Sequence, residues 1–196
     1  EPQWKFLSEW SSSYSDYVIF DGPRRDREIW VGDLRPEALV VYYSFYAPEI
    51  VMSSLNSIES ARFEDGTLPA SGMTWQRFIE YNFWWVIALW ELYIHTGDKR
   101  ILVRAYPIFN ELMDSIVSKI HPDGRIEAEN TWMYTLKMSG LVGQTQCTWY
   151  KALCDAADIE ETVGDGARAE RREGLRLVAL PDGPPGLRRA PVARVH

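Results

Sequence analysis

The chain has 196 residues, 46% of them hydrophobic, and a formal net charge of -7. That is enough apolar material for one packed domain, and the charge excludes a nucleic-acid binder, which needs a basic stripe to meet phosphates. The longest apolar run, Phe83 to Trp90, is too short to cross a bilayer, which takes roughly 20 residues.

In chain order, "EPQWKFLSEW" reads as the later part of a helix, so the sequence is expected to be a fragment or a processed piece. The next stretch, "DGPRRDREIWVGD" from Asp21 to Asp33, gathers three aspartates, Glu28 and several arginines around Trp30. Neither helix nor strand periodicity asks for that pattern. Gly22-Pro23 and Gly32 bend its ends, so it is read as a loop that forms a site.

Beyond it the periodicity is helical. "RPEALVVYYSFYAPEIVMSSLNSIESA" is a helix that Pro48 kinks or divides. "TWQRFIEYNFWWVIALWELYIHTGD" is expected to start behind a Thr74 cap and to end at Gly97, a residue suited to the left-handed C-cap. A further helix starts at Asp98, with a kink or break at Pro107. "HPDGRI" is a turn, and "GQTQCTWYKALCDAADIEETVGD" is amphipathic. Cys147 and Cys154 lie about 10 Å apart along that helix, too far for a mutual disulfide, and are read as core thiols. From Gly164 the chain has no aromatic residue and no Lys but many Arg, Pro, Gly and Ala. Residues 164–196 are therefore expected to form a disordered tail or to be read out of frame. Long helices, short turns and almost no alternation give an all-α architecture for residues 1–163.

The order of motifs is specific. "DGPRRDREIWVGD", a helix, "EDGTLPA" and a tryptophan-rich helix ending "ELYIHTGDKRILVRAYP" together resemble the catalytic domain of bacterial and fungal α-L-rhamnosidases, six-hairpin glycosidases of family GH78. The resemblance runs from about Tyr14 to Val163. It implies a partial (α/α)6 barrel, with about five of the family's twelve helices in this chain. The implied activity is hydrolysis of terminal rhamnose from glycosides with inversion, with a carbohydrate as the partner and neither nucleic acid nor membrane. No cofactor and no metal is implied.

Such hydrolysis needs one carboxylic acid to protonate the leaving oxygen and one carboxylate to activate water. By the resemblance, Asp26 matches the general acid, with Glu28 two positions on as its rival. Asp21 and Asp33 match aspartates that hold sugar hydroxyls, Arg25 matches an orienting arginine, and Trp30 a stacking ring. Trp132 is a further stacking candidate. The family's general base is a later Glu that these 196 residues do not contain, so the chain by itself is expected to be inactive.

The same residues also have plainer readings. Asp21 and Asp33 can serve as turn and helix-start residues, and Arg24, Arg27 and Arg35 as surface charges or ion-pair partners. His95 suits a helix C-terminus, and Trp84, Trp85 and Trp90 suit a core. Where many relatives carry an Asp this chain has Tyr81 and Asn82, so the hydroxyl contact there is lost or altered. Two other functions fit the helical hairpins: another six-hairpin carbohydrate enzyme, or a sugar-binding protein without catalysis.

Overall fold

A computed structural model describes residues 17–128 and 138–179. Within them the chain forms six helices, α1 (Val31–Ser44), α2 (Pro48–Ser60), α3 (Ile79–Thr96), α4 (Lys99–Val117), α5 (Gly143–Val163) and α6 (Gly166–Ala179). Sheet pairing among the described residues is limited to two isolated bridges, Trp30 with Ser71 and Ala128 with Gly140. The all-α expectation holds, as three helical hairpins: α1–α2, α3–α4 and α5–α6. That is one helix more than the sequence suggested.

Pro48 divides rather than kinks, because it occupies the first position of α2, where a missing N–H costs nothing. Pro107, by contrast, sits inside α4, which runs on past it to Val117. Asp98 caps α4 as expected, its carboxylate accepting from the Arg100 backbone N–H at 3.0 Å. Gly97 closes α3 at φ +68°, a left-handed conformation that suits glycine. The start of α3 differs from expectation. Thr74 is no cap, since the Ala70 N–H donates to the Gln76 carbonyl at 2.8 Å and folds 70–76 into its own loop. The helix begins only at Ile79.

Helices α1, α3 and α5 pack side by side, and α2, α4 and α6 back them. The central helix α3 touches α1, α2, α4 and α5, which explains why "FWWVIALW" is apolar on every side. Phe83, Trp85, Ile87 and Leu89 lose essentially all their surface, as does Trp149 on α5. Each such side chain contributes about 1.5–3 kcal/mol of burial. The two cysteines depart from expectation: Cys147 is exposed and Cys154 half-buried, so neither is a core thiol.

Residues 166–179, inside the stretch expected to be a disordered or out-of-frame tail, form α6 on the flank of α5. Arg172 is buried there against Glu160, with Nε 3.2 Å from its carboxylate.

This arrangement sorts the connections by length. The turns within hairpins, residues 45–47, 97–98 and 164–165, are short and lie at one end. The starts of α1, α3 and α5 lie together at the other end. There the Val31 N–H donates to the Ala70 carbonyl at 3.0 Å and Thr145 Oγ1 donates to Glu80 at 2.8 Å.

Candidate active site

The loop before α1 is organised by one carboxylate. Asp21 Oδ1 accepts from the Glu28 N–H at 3.0 Å and Oδ2 from the Asp26 N–H at 3.2 Å, while Oδ2 also pairs with Arg25 Nε at 3.0 Å. The Asp21 N–H in turn donates to the Glu28 carbonyl at 3.1 Å. These bonds close residues 21–28 into a ring whose backbone includes Arg27 at φ +57°. A non-glycine residue there costs on the order of 1 kcal/mol, which the Asp21 contacts offset. The Asp21 side chain has no exposed surface, and both its oxygens are committed to this ring. A sugar hydroxyl therefore has no open face of Asp21 to meet.

The other candidates are arranged differently. Arg25 reaches from Asp21 to Asp33, its Nη1 2.7 Å from Asp33 Oδ1 across a stretch of eight residues. That hydrogen bond, and then the Asp33 charge, hold the guanidinium above its ordinary value. Trp30 donates its indole N–H to Asp26 Oδ2 at 3.2 Å. Glu28 Oε2 accepts from Ser71 Oγ at 2.6 Å, a contact across 43 residues that ties this loop to the one before α3. Each of these three carboxylates thus has one oxygen held, while Asp26 Oδ1, Glu28 Oε1 and Asp33 Oδ2 accept no hydrogen bond among the described residues. Asp26 is exposed, and Glu28 and Asp33 are half-buried. Carboxylates with one oxygen fixed and one open can hold sugar hydroxyls or exchange a proton with a bound oxygen.

The Trp30 ring is set by its neighbours. It meets Tyr81 edge to face with centroids 6.2 Å apart, and Tyr81 leans on Phe78 at 5.3 Å. Gly32 makes this possible, because a Cβ there would sit 3.0 Å from the Tyr81 ring. Asn82 is committed to structure: its Oδ1 accepts from the Leu68 N–H at 2.8 Å and its Nδ2 donates to the Phe78 carbonyl. Arg35 pairs with Glu91 at 2.8 Å and lies 5.5 Å from the centre of the half-buried Trp84 ring. Trp85 and Trp90 are core. His95, in the last turn of α3, bonds the Glu91 carbonyl through Nδ1 and stacks on Tyr42 at 4.2 Å. Trp132 lies outside the described residues.

Two members of the site escape a reading of the sequence. Ser71, with no exposed surface, has no motif to mark it and is placed only by folding. Glu37 lies one helical turn after Asp33 on α1, a spacing that could have flagged it. Burial, followed by the Asp33 and Asp21 charges, pushes its carboxyl up to about 7 against the opposing pull of Arg25. Among the described residues no group of three or more His, Cys, Asp or Glu side chains could hold a metal ion.

A family model described as the bacterial alpha-L-rhamnosidase 6 hairpin glycosidase domain matches residues 6–137. An alpha-L-rhamnosidase of Alteromonas sp. (strain LOR) is 32% identical over 107 residues, covering 46% of this chain and 10% of that protein. Among solved structures, a rhamnosidase from Klebsiella oxytoca with rhamnose bound matches with a TM-score of 0.73 at 20% identity, over 85% of this chain and 35% of its own. The GH78 family rhamnosidase of Bacillus sp. GL1 matches with a TM-score of 0.71 at 22% identity, over 82% of this chain and 18% of its own. This chain therefore spans only part of each of these relatives. With the Asp21–Asp33 loop and the whole of the first two hairpins inside the matched residues, the chain belongs to the bacterial α-L-rhamnosidase six-hairpin glycosidase family.

Proposed function

We propose that this chain carries the acid and sugar-binding half of an inverting α-L-rhamnosidase site. The supporting observation is the set of open carboxylate oxygens on Asp26, Glu28 and Asp33 around the fixed Trp30 ring. Asp26, the exposed member, donates the proton to the departing glycosidic oxygen. Asp33 and Arg25 hold ring hydroxyls, and Trp30 packs on the C–H face of the sugar. Asp21 acts through the loop it closes. The water-activating carboxylate belongs to the remaining hairpins of the family's barrel, so this chain alone binds the sugar without hydrolysing its glycosides.

The test uses a protein in which this domain is completed by the remaining hairpins. Asp26→Asn is expected to lower hydrolysis of alkyl rhamnosides by roughly 10²–10⁴-fold, the usual cost of lost acid catalysis. Hydrolysis of p-nitrophenyl rhamnoside should fall less, because a phenolate leaves with little protonation. Should Asp26→Asn be harmless while Glu28→Gln shows that signature, Glu28 is the acid. If neither change alters hydrolysis but the chain binds L-rhamnose, the loop is a binding site without catalysis.

A further inference from the structure

Three carboxyl groups share the Arg25 guanidinium where the Asp21–Asp33 loop runs into α1, and only two of them are bonded to it. Arg25 directs Nε to Asp21 at 3.0 Å and Nη1 to Asp33 at 2.7 Å. The third is Glu37, one helical turn after Asp33, so both side chains rise from the same face of α1. Glu37 is half-buried, and among the described residues its carboxyl makes no hydrogen bond or ion pair. The charges acting on it are those of Asp33, Asp21 and Arg25. The helices packed along α1 leave this balance alone: Glu91 of α3 is held by Arg35, and Glu59 of α2 by Arg104 of α4.

A carboxyl placed there keeps its proton. Burial first, and then the Asp33 and Asp21 charges, push Glu37 up to about 7, with Arg25 pulling the other way. Below that value it carries an O–H that can donate. Asp33 beside it has Oδ1 on Arg25 and Oδ2 open, an acceptor only. A sugar hydroxyl has one proton to give and lone pairs that receive another. Two ionised carboxylates would compete for that single proton, whereas one neutral and one ionised carboxyl satisfy both ends of the hydroxyl.

We propose that Glu37 is a further sugar-holding residue, paired with Asp33 as donor and acceptor on one hydroxyl, and that the pair selects a hydroxyl at that ring position. An ammonium there offers Glu37 nothing to donate to, and a carboxylate meets Asp33 without a proton. The inference rests on the reading in which Asp33 holds a ring hydroxyl.

Binding to the chain as it stands tests this without turnover. The affinity for L-rhamnose is measured by ligand-observed NMR titration at about pH 5.5 and about pH 8.5, on either side of the Glu37 value of about 7. It is expected to fall roughly 2- to 10-fold from the first to the second, the usual worth of one hydrogen bond. Glu37→Gln keeps a donor that does not titrate, so its affinity should be level across that range and match the unaltered chain at the acid end. Glu37→Ala should be level at the weaker, alkaline value. Circular dichroism at both pH values confirms that the three proteins keep the helical fold. A rhamnose affinity of the unaltered chain that does not change with pH overturns the inference and leaves the rhamnosidase reading intact, as does a pH dependence that persists in Glu37→Gln. Glu37→Ala binding as tightly as the unaltered chain at the acid end also overturns it, since Glu37 would then only repel when ionised. Failure to bind L-rhamnose at either pH overturns both.

Discussion

The Asp21–Asp33 loop and the α5–α6 contact both press acids against arginines, but they do so with opposite geometry. In the loop the partners are close in sequence and the cation is exposed: Arg25 spans the buried Asp21 and the half-buried Asp33, and the carboxylates of Asp26, Glu28 and Asp33 keep an oxygen open. At α5–α6 the partners come from different helices and one pair is sealed. Glu160 has no exposed surface and Arg172 is its buried partner, while nearer the surface the exposed Asp114 on α4 holds Arg168 at 2.8 Å. Glu160 Oε2 has no hydrogen-bond partner, and the same holds for Oε2 of Glu80 and of Glu91. An open oxygen costs little when water can reach it and much when it cannot. Density of charge therefore does not mark a site. What separates the candidate active site from the structural ion pairs is whether the unused oxygens face solvent.

The strongest way to break this distinction is to remove a partner from each region. At pH 8, above the raised Glu160 value of about 7, Arg172→Ala leaves that carboxylate buried without its cation and is expected to cost about 3–5 kcal/mol, read as a lower midpoint in urea unfolding. Arg25→Ala removes an exposed guanidinium from Asp21 and Asp33 and should cost about 1 kcal/mol or less. A similar loss in both variants would mean that the buried Asp21 carboxylate depends on Arg25 as Glu160 depends on Arg172, and not on the backbone N–H groups of Asp26 and Glu28.

The second test is pH. Burial pushes Glu160 and Asp155 up to about 7, the latter despite its pairing with Lys151. The unfolded chain releases these protons near pH 4, so between about pH 4 and 7 the folded state binds more protons than the unfolded one. Stability from these two groups is fully present below that window and is lost as pH rises through it. Asp98, held below its ordinary value by its hydrogen bond to Arg100, acts in the opposite sense and only in more acid solution. Thermal unfolding at pH 5 and pH 8 should show the higher midpoint at pH 5, with Glu160→Gln narrowing the gap. A midpoint that rises with pH across that range would show that Glu160 and Asp155 are ionised in the fold.

Gly32 offers a smaller and more local effect. A methyl group there meets the Tyr81 ring at 3.0 Å, and that ring cannot retreat freely because Phe78 and Trp30 flank it. Overpacking costs about 1–3 kcal/mol, and the better helix propensity of alanine returns up to about 1 kcal/mol of that. Gly32→Ala should therefore destabilise by about 1 kcal/mol and weaken rhamnose binding by tilting Trp30. Unchanged stability together with unchanged binding would show that Tyr81 does not set the ring.

Much of this molecule was legible from local pattern. Gly97 and Asp98 end one helix and cap the next through contacts with residues no more than four away. The helical spacing of Trp85 and Trp90 suited a core, and both are buried there. The loop from Asp21 to Asp33 declared itself by crowding. Its internal division did not, because Asp21 and Asp33 look alike in sequence and differ only in what encloses them. The parts set by distant contacts stayed hidden. Ser71 meets Glu28 across 43 residues, and Arg172 is buried only because α6 folds back along α5. Composition suggested disorder for that stretch because it carries no aromatic anchor, but its arginines find acids on α4 and α5.

The smallest effect sharpens this lesson at two neighbouring helix starts. Thr74 and Asp98 carry the same sequence signal, a capping residue ahead of an apolar helix. Only Asp98 caps, with its carboxylate on the Arg100 N–H, whereas Thr74 is taken into the 70–76 loop and touches Ser71 Oγ at 3.4 Å. The difference is not one of propensity. Residues 70–76 are drawn back by Val31 and Trp30 of the preceding segment, so the chain cannot turn helical at Thr74 without giving up the bridge to Ser71. Asp98→Ala should thus cost about 1 kcal/mol, the ordinary value of a lost cap. Thr74→Ala should cost less than about 0.5 kcal/mol, as expected where no helix end is served. Equal losses in denaturant unfolding would mean that α3 starts at Thr74 after all, and the loop carrying Trp75 would then not exist in the form described.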